Sequence, residues 1–193
     1  MKNEILADIK SCPVIAAIRD VDDVDTALSY NIRCVFLLTG SILNIKYVVH
    51  CIKKAHKRAF VHLDLLGGIS KDSEGIKYIV EEVRPDGVIT TRSNIALSAR
   101  SMGMFTIQRV FLLDSLALDT AVKTISLVEP EAVEVLPGVV TKTLKRIAAR
   151  VHTPLVAGGL IETPEEVEQA LESGAVAIST TRKSLWDIKV LQK

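Results

Sequence analysis

Two short stretches carry residue types that hold an anion. "VAGG" (156–159) ends an apolar run in a glycine pair, and "AISTT" (177–181) ends another in hydroxyls about twenty residues later. Glycines let backbone N–H groups approach oxygen atoms closely, and hydroxyls add donors. Side by side, Gly158, Gly159, Ser179 and Thr180 would grip a phosphate. A helix opening near Lys183-Ser184-Leu185 would aim its positive end at the same anion. Taken singly, the glycines need only make a tight turn and Ser179 need only cap a helix.

Other polar residues sit at the ends of apolar runs. Arg19, Arg92 and Arg109 suit bidentate anion contacts, or they pair with carboxylates such as Asp64 and Glu134. Glu134 is an acceptor and suits ligand hydroxyls, with Asp64 and Gln108 as further candidates. His62 and Asp64 share strand parity and would make half of a metal site, or a hydrogen-bonded core pair. No second histidine ends a run, since His50, His56 and His152 fall elsewhere, so no metal is expected. No lysine lies within a run, which argues against Schiff-base chemistry, and neither a Ser–His–Asp set nor a P-loop is visible. A site that holds an anion and hydroxyls without a reactive group points to a sensor with no cofactor. The alternative is a phosphosugar-binding barrel enzyme, an epimerase or isomerase. There His62, Asp64 and Glu134 would move protons or hold a metal.

The elements that must position these residues repeat. Eight β-branched runs start about 23 residues apart: 14–18, 34–39, 60–66, 87–91, 105–111, 132–137, 154–159 and 175–181. Helical patterns fill the gaps. Ile45, Val48, Val49 and Ile52 make one apolar face. "TPEEVEQALESG" offers Thr163 as N-cap, Pro164 at the first helical position and Gly174 as C-cap. Eight βα units imply a single-domain (β/α)8 barrel over residues 1–193, with function at the C-terminal strand ends and phosphate at strands seven and eight. The composition suits it: 48% of residues are hydrophobic and only 4% aromatic, as a parallel sheet covered by helices requires.

No apolar run reaches the length of a membrane span. Glu4 and Asp8 interrupt the segment where a signal peptide would be apolar, so a cytoplasmic protein is expected. Cys12, Cys34 and Cys51 lack metal spacing and read as buried small hydrophobes. A net charge of +1 is not the footprint of a strongly basic nucleic-acid binder.

The blocks "AAIRD", "VHLDLLGGISKD", "VITTRSNIA", "TIQRVFLLDSLALD", "EVLPGVV" and "VAGGLIETPEEVEQALESGAVAISTT…LW" resemble the glycerol-uptake-operon antiterminator family of bacteria, from about Val14 to Trp186. The resemblance implies a small barrel that responds to sn-glycerol 3-phosphate and acts on leader mRNA of glycerol-utilisation genes so that transcription continues. The phosphate would then sit on Gly158, Gly159, Ser179 and Thr180. The hydroxyls would reach Glu134 and either Asp64 or Gln108, with Arg19, Arg92 and Arg109 balancing charge. The loop "LLTGSILN" departs from the family, with Thr39 and Ser41 where an Asp or His is common. For RNA, the best basic surfaces are Lys53, Lys54 and Arg58 at one helix end and Lys142, Lys145 and Arg146 on another helix. Each also reads as an ordinary solvated face. A homodimer would join two modest patches into one.

Overall fold

The structure, a computed structural model, describes residues 1–188. Eight parallel strands close into one barrel in sequence order: β1 (Val14–Ile18), β2 (Cys34–Leu37), β3 (Arg58–His62), β4 (Gly87–Thr90), β5 (Phe105–Phe111), β6 (Ala132–Leu136), β7 (Leu155–Gly158) and β8 (Ala175–Thr180). The crossovers are α2 (Asp23–Ser29), α3 (Ile45–Lys54), α4 (Ser73–Tyr78), α5 (Ser93–Ser101), α6 (Ser115–Val128), α7 (Thr141–Ala148) and α8 (Pro164–Glu172). α4 runs on into a π-helical turn at Ile79–Val83. The regular repeat breaks after β8, where the described chain forms only a 3-10 turn, Lys183–Leu185. An eighth helix, α1 (Lys2–Ser11), stands before β1 instead.

Local sequence explains these elements. α3 buries Ile45, Val48, Val49 and Ile52, the face its spacing predicts. α8 opens on a capping box, the Thr163 hydroxyl accepting from the Glu166 N–H and the Glu166 carboxylate reaching back, with Pro164 in the first turn. Ser173 is its C-cap, and the predicted cap Gly174 follows at φ +103°. Most strands are shorter than their apolar runs. β3 stops at His62, and Leu63–Leu65 form a single 3-10 turn, so Asp64 is not a strand residue and does not share strand parity with His62.

The inward and outward faces make separate cores. Outward residues such as Val35, Val61, Val88 and Val133 pack beneath the helices. Inward residues stack in layers of four drawn from alternate strands. Following the register around the barrel, Ile15, Phe60, Ile107 and Val156 make one layer. Above it lie Phe36, Ile89, Glu134 and Ser179, then Ala17, His62, Arg109 and Gly158. Polarity therefore rises toward the C-terminal mouth. Below, Phe36, Phe60 and Phe105 meet edge to face, with ring centroids 5.3 and 5.8 Å apart.

α1 closes the opposite end. Ile5 and Ile9 join Ile15, Phe36 and Phe60 in the inner cluster. Asp8 of the same helix accepts from Arg33 at 2.9 Å and from Arg58 at 2.8 Å. Arg58 therefore departs from its expected place at a basic helix end. It is the first residue of β3, and Asp8 and Asp86 occupy its guanidinium. Cys34 is buried, which pushes its thiol pKa up, whereas Cys12 and Cys51 are only half-buried.

Candidate functional site

The mouth of the barrel contains a buried hydrogen-bonded unit. Glu134 on β6 is 1% exposed. One carboxylate oxygen accepts from Arg109 Nε at 2.5 Å and the other from the Ser179 hydroxyl at 2.6 Å. A buried carboxylate survives only with such partners. Gly158 makes the unit possible. A Cβ there would lie 2.7 Å from Glu134 Oε1 and 2.8 Å from Ser179 Oγ. This glycine serves the close approach of β6 and β8 side chains over β7.

Above the unit opens a cavity of about 200 Å³. Ala17, Glu134 and Ser179 border it from below, and Arg19, Arg109 and Arg182 bring cations to it. Arg109 is bound to Glu134 and Arg182 to Glu162, whereas Arg19 is exposed and has no carboxylate partner among the described residues. The loop after β7 forms one wall. Gly159 and Leu160 lie in the left-handed region, at φ +78° and +61°. For the non-glycine Leu160 this conformation costs about 1–2 kcal/mol, and its side chain is exposed. Backbone strain of this kind collects at sites that bind.

The predicted residues divide into two groups. Arg19, Arg109, Glu134, Gly159, Ser179 and Thr180 border the cavity, and Gly158 supports it. The Thr180 hydroxyl is turned away, donating to the Ile161 carbonyl at 3.0 Å and accepting from the Arg182 N–H at 3.1 Å. Asp64, Arg92 and Gln108 gather on the β3–β5 side instead. Asp64 accepts from the hydroxyls of Thr90 and Thr91 and from the Thr91 N–H at 2.7 Å, with Arg92 Nε 3.5 Å away. It ties two strand ends together. Gln108 has outward parity; its amide donates to the Thr91 carbonyl at 3.0 Å and borders a separate groove against α6.

His62 is 2% exposed, and neither ring nitrogen has a hydrogen-bond partner. Asp64 Oδ2 is 3.9 Å from its Nδ1, beyond hydrogen-bond reach. Burial, reinforced by the positive charge of Arg109, pulls the imidazole pKa down to about 4. Among the described residues, no three His, Cys, Asp or Glu side chains gather as metal ligands. Strand patterns did not flag Leu160 or the Arg182–Glu162 pair on the rim, because both lie past the strand ends where parity stops.

The basic candidates lie elsewhere. Lys53 and Lys54 are exposed at the end of α3, Lys53 also donating to the Arg84 carbonyl at 2.8 Å. Lys142, Lys145 and Arg146 are exposed on α7. α3 follows β2 and α7 follows β6, so the two patches lie on opposite sides of the barrel.

Comparison with known proteins gives concordant matches. The family model for the glycerol-3-phosphate responsive antiterminator matches residues 14–186. The uncharacterized protein YgcP of Escherichia coli (strain K12) is 34% identical over 180 residues, 93% of this chain and 94% of that protein. The crystal structure of a glycerol uptake operon antiterminator regulatory protein from Listeria monocytogenes str. 4b F2365 has a TM-score of 0.86 at 34% identity, covering 90% of this chain and 94% of that one. A glycerol uptake operon antiterminator-related protein from Thermotoga maritima MSB8 has a TM-score of 0.81 at 33% identity, covering 91% and 98%.

Proposed function

The chain belongs to the glycerol-3-phosphate responsive antiterminator family, and from that premise we propose that it senses sn-glycerol 3-phosphate at the C-terminal mouth of its barrel and acts on leader mRNA of glycerol-utilisation genes. The observation that carries the ligand site is the cavity at the ends of β1, β6, β7 and β8, bordered by the Arg19 guanidinium and the Ser179 hydroxyl. Its size suits a small metabolite better than a drug-sized ligand. The phosphate lies against Arg19 and the Gly159 loop, at the two strands where barrels commonly hold phosphate. The Glu134–Arg109–Ser179 unit forms the floor.

Of the three groups that the epimerase or isomerase alternative would use, His62 has no partner, but the other two are engaged. Asp64 is occupied by hydroxyls and a backbone N–H, and both oxygens of Glu134 are held. Neither carboxylate is free to shuttle protons. Such a sensor needs an effector but no cofactor, and it works in the cytoplasm where leader transcripts are made. RNA would meet Lys53 and Lys54 or Lys142, Lys145 and Arg146. A homodimer would set equivalent patches from two copies side by side.

Thermal unfolding with sn-glycerol 3-phosphate, and with glycerol and inorganic phosphate as controls, tests the ligand assignment. At 100 times its dissociation constant the phosphoester stabilises by about 2.7 kcal/mol, a rise of roughly 5–10 °C for a chain of this size. An unchanged melting point with all three compounds refutes the site.

A further inference from the structure

His62 has no structural task that an apolar residue would not do better. Both ring nitrogens are buried without partners, and a buried unsatisfied polar group costs about 1–3 kcal/mol. Inward positions below it are filled by Phe36 and Phe60, and a phenylalanine in its place would leave nothing unpaired. A histidine retained there needs a partner from outside the chain.

Its layer adjoins the cavity at the mouth. The four members are Ala17, His62, Arg109 and Gly158, in barrel order from β1, β3, β5 and β7. Two of the four bring almost no side chain. The cavity at the mouth is lined by Ala17 and Arg109, the two members that flank His62 around the ring. His62 itself lies behind the lining, buried in the same layer, so a ligand that settles between Ala17 and Arg109 meets the imidazole. Nearby, Glu134 and Ser179 are engaged with one another and Arg109 Nε with Glu134.

We propose that His62 is the specificity-determining residue of the effector site, pairing one ring nitrogen with a hydroxyl on the carbon chain of a phosphorylated polyol. The inference rests on the effector reading above and names what that site distinguishes. A hydroxyl both donates and accepts, so it satisfies a neutral imidazole in either tautomer. The imidazole is neutral near pH 7, because burial and Arg109 hold its pKa near 4. It therefore reads the hydroxyl without competing for the phosphate. A phosphoester lacking hydroxyls would leave the imidazole as unpaired as before, and sites built this way discriminate strongly.

The test compares sn-glycerol 3-phosphate, n-propyl phosphate and inorganic phosphate by calorimetry on the full chain and on His62→Leu and His62→Gln. The wild-type protein is expected to prefer the glycerol ester over the propyl ester. His62→Leu should bind the glycerol ester about 10- to 100-fold more weakly and the propyl ester as the wild type does. His62→Gln should recover part of the preference. A His62→Leu protein that keeps the full preference overturns the proposal. The ring ¹⁵N resonances of His62 in the wild-type protein give a second readout independent of how the variants fold. They should move with the glycerol ester and not with the propyl ester, and resonances indifferent to both overturn the assignment. If the wild type binds neither ester, the effector site itself is wrong and this role falls with it. If it binds both esters equally while the resonances stay still, the effector site stands and only the role of His62 fails.

Discussion

Gly158 carries a structural task that its sequence context does not announce. In the sequence it reads as half of a phosphate-gripping pair, yet its lack of a side chain is what allows Glu134 and Ser179 to meet over β7. Gly158→Ala should destabilise the protein by about 1–3 kcal/mol through overpacking and abolish the effector-induced rise in melting point. Gly159→Ala acts through φ +78° alone, since the nearest atoms to its Cβ are the movable side chain of Leu136 at 3.3 Å. It should cost about 1–2 kcal/mol. Calorimetric scans of both variants, with and without sn-glycerol 3-phosphate, check the difference. His62 adds a pH dependence. Its folded pKa of about 4 lies below its ordinary 6.5, so between those values the unfolded chain binds the extra proton. Stability is full above pH 6.5 and falls as pH drops toward 4, by about 3 kcal/mol. Urea titrations at several pH values should show this loss in the wild type and not in His62→Leu. The residue types of the site were legible because polar groups interrupt apolar strands. The partition between cavity and β3–β5 side was not, because Asp64, Thr180 and Gln108 are turned aside by hydrogen bonds to loop atoms that no strand pattern encodes.

At the level of elements, patterns that close locally were readable and those that depend on a distant partner were not. The capping box of α8 needs only Thr163 and Glu166, three residues apart, and it forms as the sequence suggests. Thr163→Ala should lower stability by about 1 kcal/mol, measured by chemical denaturation. α1 is a different case. Its buried residues are Ile5 and Ile9, four apart on a short charged stretch. They become core only because the barrel offers an apolar floor beneath Ile15, Phe36 and Phe60. Ile9→Ala should cost about 2–5 kcal/mol, more than any surface change on the same helix, and the same denaturation series checks it. Arg58 follows the same logic. The run around it looks like a basic patch until the turn at His56, φ +58°, sends the chain into β3 beneath Asp8 and Asp86.

The closed barrel as a whole was legible from eight evenly spaced runs, because parallel strands joined by helices have few other ways to bury both faces. What a sequence cannot place is a surface assembled from separate helices. The two basic patches lie on opposite flanks, so one copy cannot lay both along a short RNA. Reversing Lys53 and Lys54 to Glu should weaken leader RNA binding about 10-fold or more if α3 carries it. The log–log salt slope should then fall by roughly 0.7 for each single-strand phosphate that is no longer neutralised. Binding of sn-glycerol 3-phosphate should be unchanged. Parallel reversal of Lys142, Lys145 and Arg146 decides between the flanks, with filter binding over a salt series as the measurement.

The barrel is sealed where β1 lies against β8, with Ile15 opposite Ser179. The cavity straddles that seam, taking Ala17 and Arg19 from one side and Ser179 and Thr180 from the other. No earlier stretch of chain can form it. On the proposed reading, a ribosome still completing β8 holds a polypeptide with no place for the effector, so a nascent copy would not respond to it. Once the ring is shut, a ligand in the cavity acts as a clasp across its join. Amide hydrogen exchange in β1 and β8 should then slow together when the effector binds, more than in β3 and β4 across the barrel.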